Sequence, residues 1–149
     1  MGKTTIYRWW PSKAAVVIDA FVEHHLVNTP IPDDLSVHDA LVVHLRSLIR
    51  QYAGPEGRLV AQIIAEGQYD DSTLADFRER FWDGRRQAIH SLLERGVESG
   101  EIRSDVDVDL MVEMIYSPVY LRLLFAHREL DESYAEQAID AAFAGLASP

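Results

Sequence analysis

Hydrophobic residues recur along this chain at helical spacing, in runs parted by short connections rich in Pro, Gly and Asp. Lys3 to Trp9 contains no breaker and closes at Pro11, whose missing N–H and bulky ring forbid continuation, so it reads as a helix of about two turns. Ser12 caps a longer second helix, with Ala14, Ala15, Val17, Ile18, Phe21, Val22 and Leu26 apolar as far as Asn28. NTPIPDDLS is a connection. The third helix runs from Ser36 to Ala53, opened by a capping-box-like Ser36 and Asp39, carried by Leu41, Leu45, Leu48 and Ile49, and stopped at GPEG. Leu59, Ile63, Ile64 and Glu66 lie on a shorter helix ending at Gly67. Ser72 caps the longest periodic segment, with Leu74, Phe77, Phe81, Ala88 and Leu92 on one face, Trp82, Ile89, Leu93 and Val97 beside it, and Gly100 as its C-cap. Leu110 to Leu130 predicts a helix kinked but not ended at Pro118. Asp131 or Ser133 caps a last helix, inward at Ala135, Ala138, Ile139, Ala142, Phe143 and Leu146. No segment alternates, so the chain is predicted to be all-α.

Composition narrows the possibilities. At 149 residues one compact unit is expected, and without cysteine there is no disulfide, thiolate nucleophile or Cys-ligated zinc. No apolar run approaches the roughly 20 residues of a membrane span, and the amino terminus lacks a signal-peptide pattern. A cytoplasmic protein with no membrane partner is expected. The net charge of −10 argues against nucleic acid, yet it is unevenly spread. Three of the 14 Lys and Arg, namely Lys3, Arg8 and Lys13, fall within residues 1–13, which hold no acid. The rest of the chain keeps 11 against 24 Asp and Glu, a balance of −13. Only the first segment suits phosphate.

Most candidate motifs fail on spacing. GKTT at residues 2–5 lacks the upstream strand and glycine of a phosphate-binding loop. His24 and His25 point to different sides of a helix, His38 and His44 are six apart, and the six histidines read as surface or capping residues rather than metal ligands. Asp105, Asp107 and Asp109 lack the glycine and glutamate of a calcium loop and read as caps. No nucleophile–base or paired-carboxylate pattern stands out, so neither an enzyme nor a cofactor is expected. KTTIYRWWPSK is different. Ile6 and Trp10 fall four apart and can anchor to a core, leaving Lys3, Thr4, Thr5, Tyr7, Arg8 and Trp9 on exposed sides as donors and flat rings, and Lys13 follows in the next helix's first turn. An ordinary amphipathic helix is the plain alternative.

The segment resembles the end of the helix-turn-helix of tetracycline-repressor-like (TetR) regulators, with pattern T-x-Y-x-x-F-x-x-K, which Thr5, Tyr7, Trp10 and Lys13 follow, Trp10 standing at the usual core Phe. The resemblance implies that Lys3, Thr4 and Thr5 face bases, that Tyr7, Trp9 and Lys13 hold phosphates, with Arg8 beside them, and that Ile6 and Trp10 pack the DNA-binding domain. It extends along the chain through ERGVESGEIRSDVDVDL and SPVYLRLLFAHRELDESY. It implies a TetR-like helical ligand-binding and dimerisation bundle over 29–149, preceded over 1–28 by the remnant of a helix-turn-helix. Its function would be a transcriptional repressor relieved by a small-molecule effector. The family's two helices before the recognition helix do not occur here, so this chain by itself is expected not to bind operator DNA. A stand-alone helical ligand-binding or interaction dimer is the alternative.

The acidic remainder supplies the other candidates. The Leu110–Leu130 helix is apolar nearly all round and needs cover on more than one side, while the last helix offers small residues for close approach. A homodimer interface is therefore expected at Tyr116, Val119, Leu123, Ala135, Ala138, Ala142, Phe143 and Leu146, as a four-helix contact across a two-fold axis. Polar groups amid apolar faces nominate a ligand pocket at Gln62, Glu66, Trp82, Arg85, Arg86, His90, Tyr116 and Tyr120. If Arg85 or Arg86 points inward, an acidic effector follows.

Overall fold

The structure, a computed structural model, describes residues 12–149. Helix α1 (Lys13–Asn28) starts where Ser12 Oγ accepts from the Ala15 N–H at 3.0 Å, and the same hydroxyl donates to Asp76 at 2.8 Å. Its buried stripe is Ala15, Ile18, Phe21 and His25. The expected helix at Lys3 to Trp9 lies outside the described residues.

Helix α2 (Val37–Tyr52) is the axis of the bundle. Ser36 Oγ accepts from the Asp39 N–H, while Glu101, from a distant turn, accepts from the N–H groups of Val37 and His38, both at 3.0 Å. Four N–H groups are orphaned at any helix start, and here separate segments of chain satisfy three. Helix α3 (Pro55–Gly67) begins with proline at its first position and crosses close over the end of α2. A Cβ on Gly57 would lie 1.8 Å from the Tyr52 carbonyl oxygen, so this approach requires glycine.

Next comes α4 (Asp71–Phe77), capped by Asp70 rather than by Ser72: the Asp70 carboxylate accepts from the Ser72 N–H at 2.9 Å. It continues without a break through a wide π turn, Arg78–Trp82, into α5 (Asp83–Ser99), which ends at Gly100 with φ 79°. The longest predicted helix is thus one rod with an extra residue wound into one turn. Helix α6 (Val108–Phe125) starts at Asp107, whose side chain accepts from the Leu110 N–H at 3.0 Å. It runs through Pro118 and stops at Phe125, where Ala126 turns left-handed with φ 49°; Leu130 lies beyond it. Helix α7 (Ser133–Leu146) has the Asp131 carboxylate accepting from the Tyr134 N–H.

Helices α1, α3, α5 and α7 pack around α2, and α6 covers the side formed by α3, α5 and α7. Salt links Arg46–Glu136, Arg50–Glu132 and His38–Asp140 pin α7 along α2. The protein is all-α; among the described residues the one β-type pairing is an isolated bridge between Ile102 and Ala147. Among the described residues no helix is long and apolar enough to cross a membrane. Two histidines expected at the surface are instead core residues: His25 is 1% exposed and His44 is fully buried. Each falls in the apolar stripe of its helix, His25 one turn after Phe21 and His44 beside Leu41 and Leu45.

Candidate functional site

An apolar pocket of about 320 Å³ opens between α3, α4, the π turn and α6. Ile64, Leu74 and Phe77 form one side, Trp82, Tyr116 and Tyr120 the other, with Arg78, Glu113 and Ser117 also lining it. The Trp82 ring meets the edges of Tyr116 and Tyr120 at centroid distances of 5.4 and 6.0 Å. Such an arrangement offers flat faces with few polar groups, the usual chemistry of a small-molecule site. A second hollow of about 330 Å³, between the ends of α2 and α6, is edged by Arg58, Arg122, Arg128 and Glu129 and has the character of solvated surface.

Behind the aromatic wall lies a chain of buried polar groups. The Tyr116 hydroxyl pairs with His44 Nε2 at 3.0 Å, and His44 Nδ1 lies 3.3 Å from Arg85 Nη2. A guanidinium can only donate, so Nδ1 accepts and Nε2–H donates to the tyrosine. Arg85 also donates to the Thr29 carbonyl at 2.8 Å and to the Thr29 hydroxyl at 3.1 Å, tying the end of α1 to α5. Tyr52 and Tyr120 share a hydroxyl–hydroxyl bond of 3.0 Å.

Electrostatics follow from burial. Desolvation, with the Arg85 cation adding to it, pushes His44 down to about 3 and His25 down to about 4. Burial raises the phenols of Tyr52 and Tyr116, and takes Tyr120 up to about 12. The histidines and tyrosines are therefore neutral near pH 7 and Arg85 is the charge among them. The Gln51 amide, 9% exposed, stands beside the His25 ring as its polar neighbour in the core.

Of the residues nominated from sequence for a ligand, Trp82, Tyr116 and Tyr120 line the pocket and Arg85 stands behind Tyr116. Gln62 and Glu66 face solvent. Arg86 pairs with Asp109, and His90 lies near Glu94 and Asp109, so both brace α5 against the start of α6. Sequence reasoning missed Ile64, Leu74 and Phe77 as lining, because apolar helix residues look alike until packing selects among them. It also missed His25, His44, Thr29 and Gln51, although a polar residue within an apolar stripe was a usable signal.

The nominated contact residues divide similarly. Tyr116, Val119, Ala135, Ala142, Phe143 and Leu146 are buried within the protomer and support α6 and α7 from behind, while Leu123 and Ala138 are half-buried. The open apolar stripe of α6 is Leu110, Met114, Leu121, Leu124 and Phe125, the last 73% exposed. Alongside, α7 turns Ala141, Ala144 and Gly145 outward. Lys13 is exposed in the first turn of α1; Lys3, Thr4, Thr5, Tyr7, Arg8 and Trp9 lie outside the described residues. Among the described residues no group of acidic, histidine or cysteine side chains could hold a metal ion.

A helical bundle of this plan, with an apolar pocket and no catalytic constellation singled out, has the form of a regulatory domain, and comparison with known proteins identifies the regulators it resembles. Residues 31–142 match the family described as "Tetracyclin repressor-like, C-terminal domain". The HTH-type transcriptional regulator YdeS of Bacillus subtilis (strain 168), itself uncharacterized, is 35% identical over 98% of this chain and 74% of its own length. HTH-type transcriptional regulator AqdR of Rhodococcus erythropolis is 28% identical over 95% of this chain and 68% of its own. The crystal structure of the TetR family transcription regulator SCO0332 superposes with a TM-score of 0.92 at 29% identity, covering 97% of this chain and 80% of that one. The flavonoid-responsive regulator FrrA shares the fold, with a TM-score of 0.70 at 20% identity. These relatives are transcriptional regulators rather than enzymes. The chain belongs to the TetR family of transcriptional regulators.

Proposed function

We propose that this protein is a cytoplasmic, homodimeric repressor whose helical bundle takes a small, flat, mainly apolar effector between Trp82, Tyr116 and Tyr120, and that the bound effector lowers affinity for operator DNA. The observation that carries the reading is the aromatic-walled pocket, large enough for a two- or three-ring molecule and continuous with the buried link from Tyr116 through His44 and Arg85 to the end of α1. Helix α1 follows directly on the segment with the reading residues Lys3, Thr4, Thr5, Tyr7, Arg8 and Trp9, and carries Lys13 at its start. A ligand favouring one placement of α1 therefore favours one spacing of the two reading segments, and operator affinity changes by the ratio of its affinities for the two placements.

For the dimer, the second copy sits on the stripe Leu110, Met114, Leu121, Leu124 and Phe125 together with the small-residue face of α7. An apolar strip of this length is otherwise left in water. The test of the pocket is a thermal-unfolding screen with flat aromatic compounds. A true effector at about one hundred times its Kd adds about 2.7 kcal/mol, which for a chain of this size raises Tm by about 5–11 °C. Ile64→Trp, which fills the pocket, removes the shift. Hits that survive Ile64→Trp, or a complete absence of hits across such a panel, would refute the reading.

A further inference from the structure

The interior of the bundle is chemically incomplete at Arg85. Its guanidinium is 7% exposed, and among the described residues no carboxylate comes within ion-pair distance of it. Buried cations are ordinarily paired with an anion, because desolvation costs more than neutral acceptors return. Here the acceptors are neutral: the carbonyl and hydroxyl of Thr29 and a ring nitrogen of His44, all reached through Nη2, with the Tyr116 hydroxyl also against the guanidinium. Around it stand neutral histidines and protonated tyrosines.

One side chain parts this cation from the effector pocket. The Tyr116 phenol lies against Arg85, and the same residue forms the pocket wall facing Trp82. An acidic group projecting from a ring held beside Trp82 would meet the guanidinium on passing the tyrosine hydroxyl, and a guanidinium in low dielectric is the strongest available partner for a planar anion. We propose that the effector is a flat aromatic molecule bearing one anionic group, and that Arg85 is the residue that reads that charge. This rests on the pocket reading above and adds the chemical class of its occupant. Thr29 stands at the end of α1, so the guanidinium that takes the anion is also the one that ties α1 to the bundle.

The test uses two fluorescent probes with the same ring system, both of which brighten on leaving water: anilinonaphthalene sulfonate, which carries one anionic group, and N-phenyl-1-naphthylamine, which carries none. With the full chain, each is expected to bind saturably, one per chain, and to be displaced by Ile64→Trp. The anionic probe binds about tenfold more tightly than the neutral one. Arg85→Met brings the ratio of the two affinities to about one, and Arg85→Lys retains part of the preference. Equal affinity of the two probes for the wild type, or a preference that persists in Arg85→Met, overturns the charge reading and leaves the pocket reading standing. Failure of either probe to bind saturably, or binding that survives Ile64→Trp, overturns both. Should Arg85→Met lose its helical signal by circular dichroism, the wild-type comparison and Arg85→Lys decide the matter.

Discussion

Acidifying the solution from pH 7 to about pH 5 should cost this protein much of its stability, through two side chains. In an unfolded chain His25 and His44 titrate near 6.5, but burial and the nearby Arg85 hold them at about 4 and about 3 in the bundle. Above pH 6.5 neither state carries the protons and these groups contribute no pH dependence. Below it the unfolded chain takes up protons that the bundle refuses, so stability falls as pH falls until the folded values are reached. At about 1.4 kcal/mol per proton and pH unit, going from pH 6.5 to pH 5 removes about 2 kcal/mol through each histidine and about 4 kcal/mol through both. A domain of this kind has about 5–15 kcal/mol to lose. Other shifted groups leave that window clear. His38, pulled down by burial but raised overall by Asp39 and Asp140, gives stability that is present below 6.5 and lost as pH rises through its folded value. Asp39, Asp70, Asp105, Asp131 and Glu132, lowered by their hydrogen bonds, give stability that is lost only as pH falls through the carboxylate range. The assay is urea unfolding followed by circular dichroism, at half-unit steps of pH. In His44→Gln the pH slope should halve, whatever the variant's absolute stability. A midpoint flat between pH 7 and pH 5 would show that the two imidazoles are not held neutral in the core.

Gly57→Ala places a Cβ 1.8 Å from the Tyr52 carbonyl oxygen and should cost about 3 kcal/mol, or about 6–12 °C of Tm. Gly84→Ala adds its methyl to open space within a helix and should stabilise by about 0.5–1 kcal/mol; equal effects in urea titrations of the two would refute the packing described at α2 and α3. Leu121→Asp combined with Phe125→Asp should turn a dimer into a well-folded monomer in sedimentation at micromolar concentration, whereas the buried Val119 could not be changed without loss of the fold. Tyr116→Phe leaves the His44 Nε2–H without its acceptor and should lose about 1–3 kcal/mol in thermal or urea unfolding; no loss would mean that the bond is not formed.

Helix positions were legible because their signals are local. Ser12, Ser36, Asp107 and Gly100 act where capping preferences place them, and the apolar period of α2 matches its buried face, whereas in α1 Val17 and Leu26 turn outward and His25 takes the inward place. The site was legible only in part. Arg85 and Arg86 are neighbours pointing about 100° apart on a helix, and which one enters the core depends on the winding of RERFW, a stretch with no residue that marks a π turn. Helix α6 is apolar nearly all round, so its periodicity could not tell the face covered by α5 and α7 from the face left open; Tyr116 and Val119 proved to be on the covered one. His25 and His44 were assigned to the surface by residue type, whereas their spacing already set them among apolar neighbours.

The wide turn at Arg78–Trp82 makes the pocket adjustable by counting residues. Losing one residue there would rewind the rod as plain α-helix and leave α5 in nearly its present phase against α4, because the wide turn spends five residues where an α-helix would spend about four. Arg85 would still face the core and only the side chains of the turn itself, Arg78 to Trp82, would be rearranged at the pocket, while α2 and α7, pinned to each other by their own salt links, would keep their places. A lineage of such regulators could thus reshape one wall of the pocket by a single codon's insertion or deletion, without rebuilding the rest of the bundle.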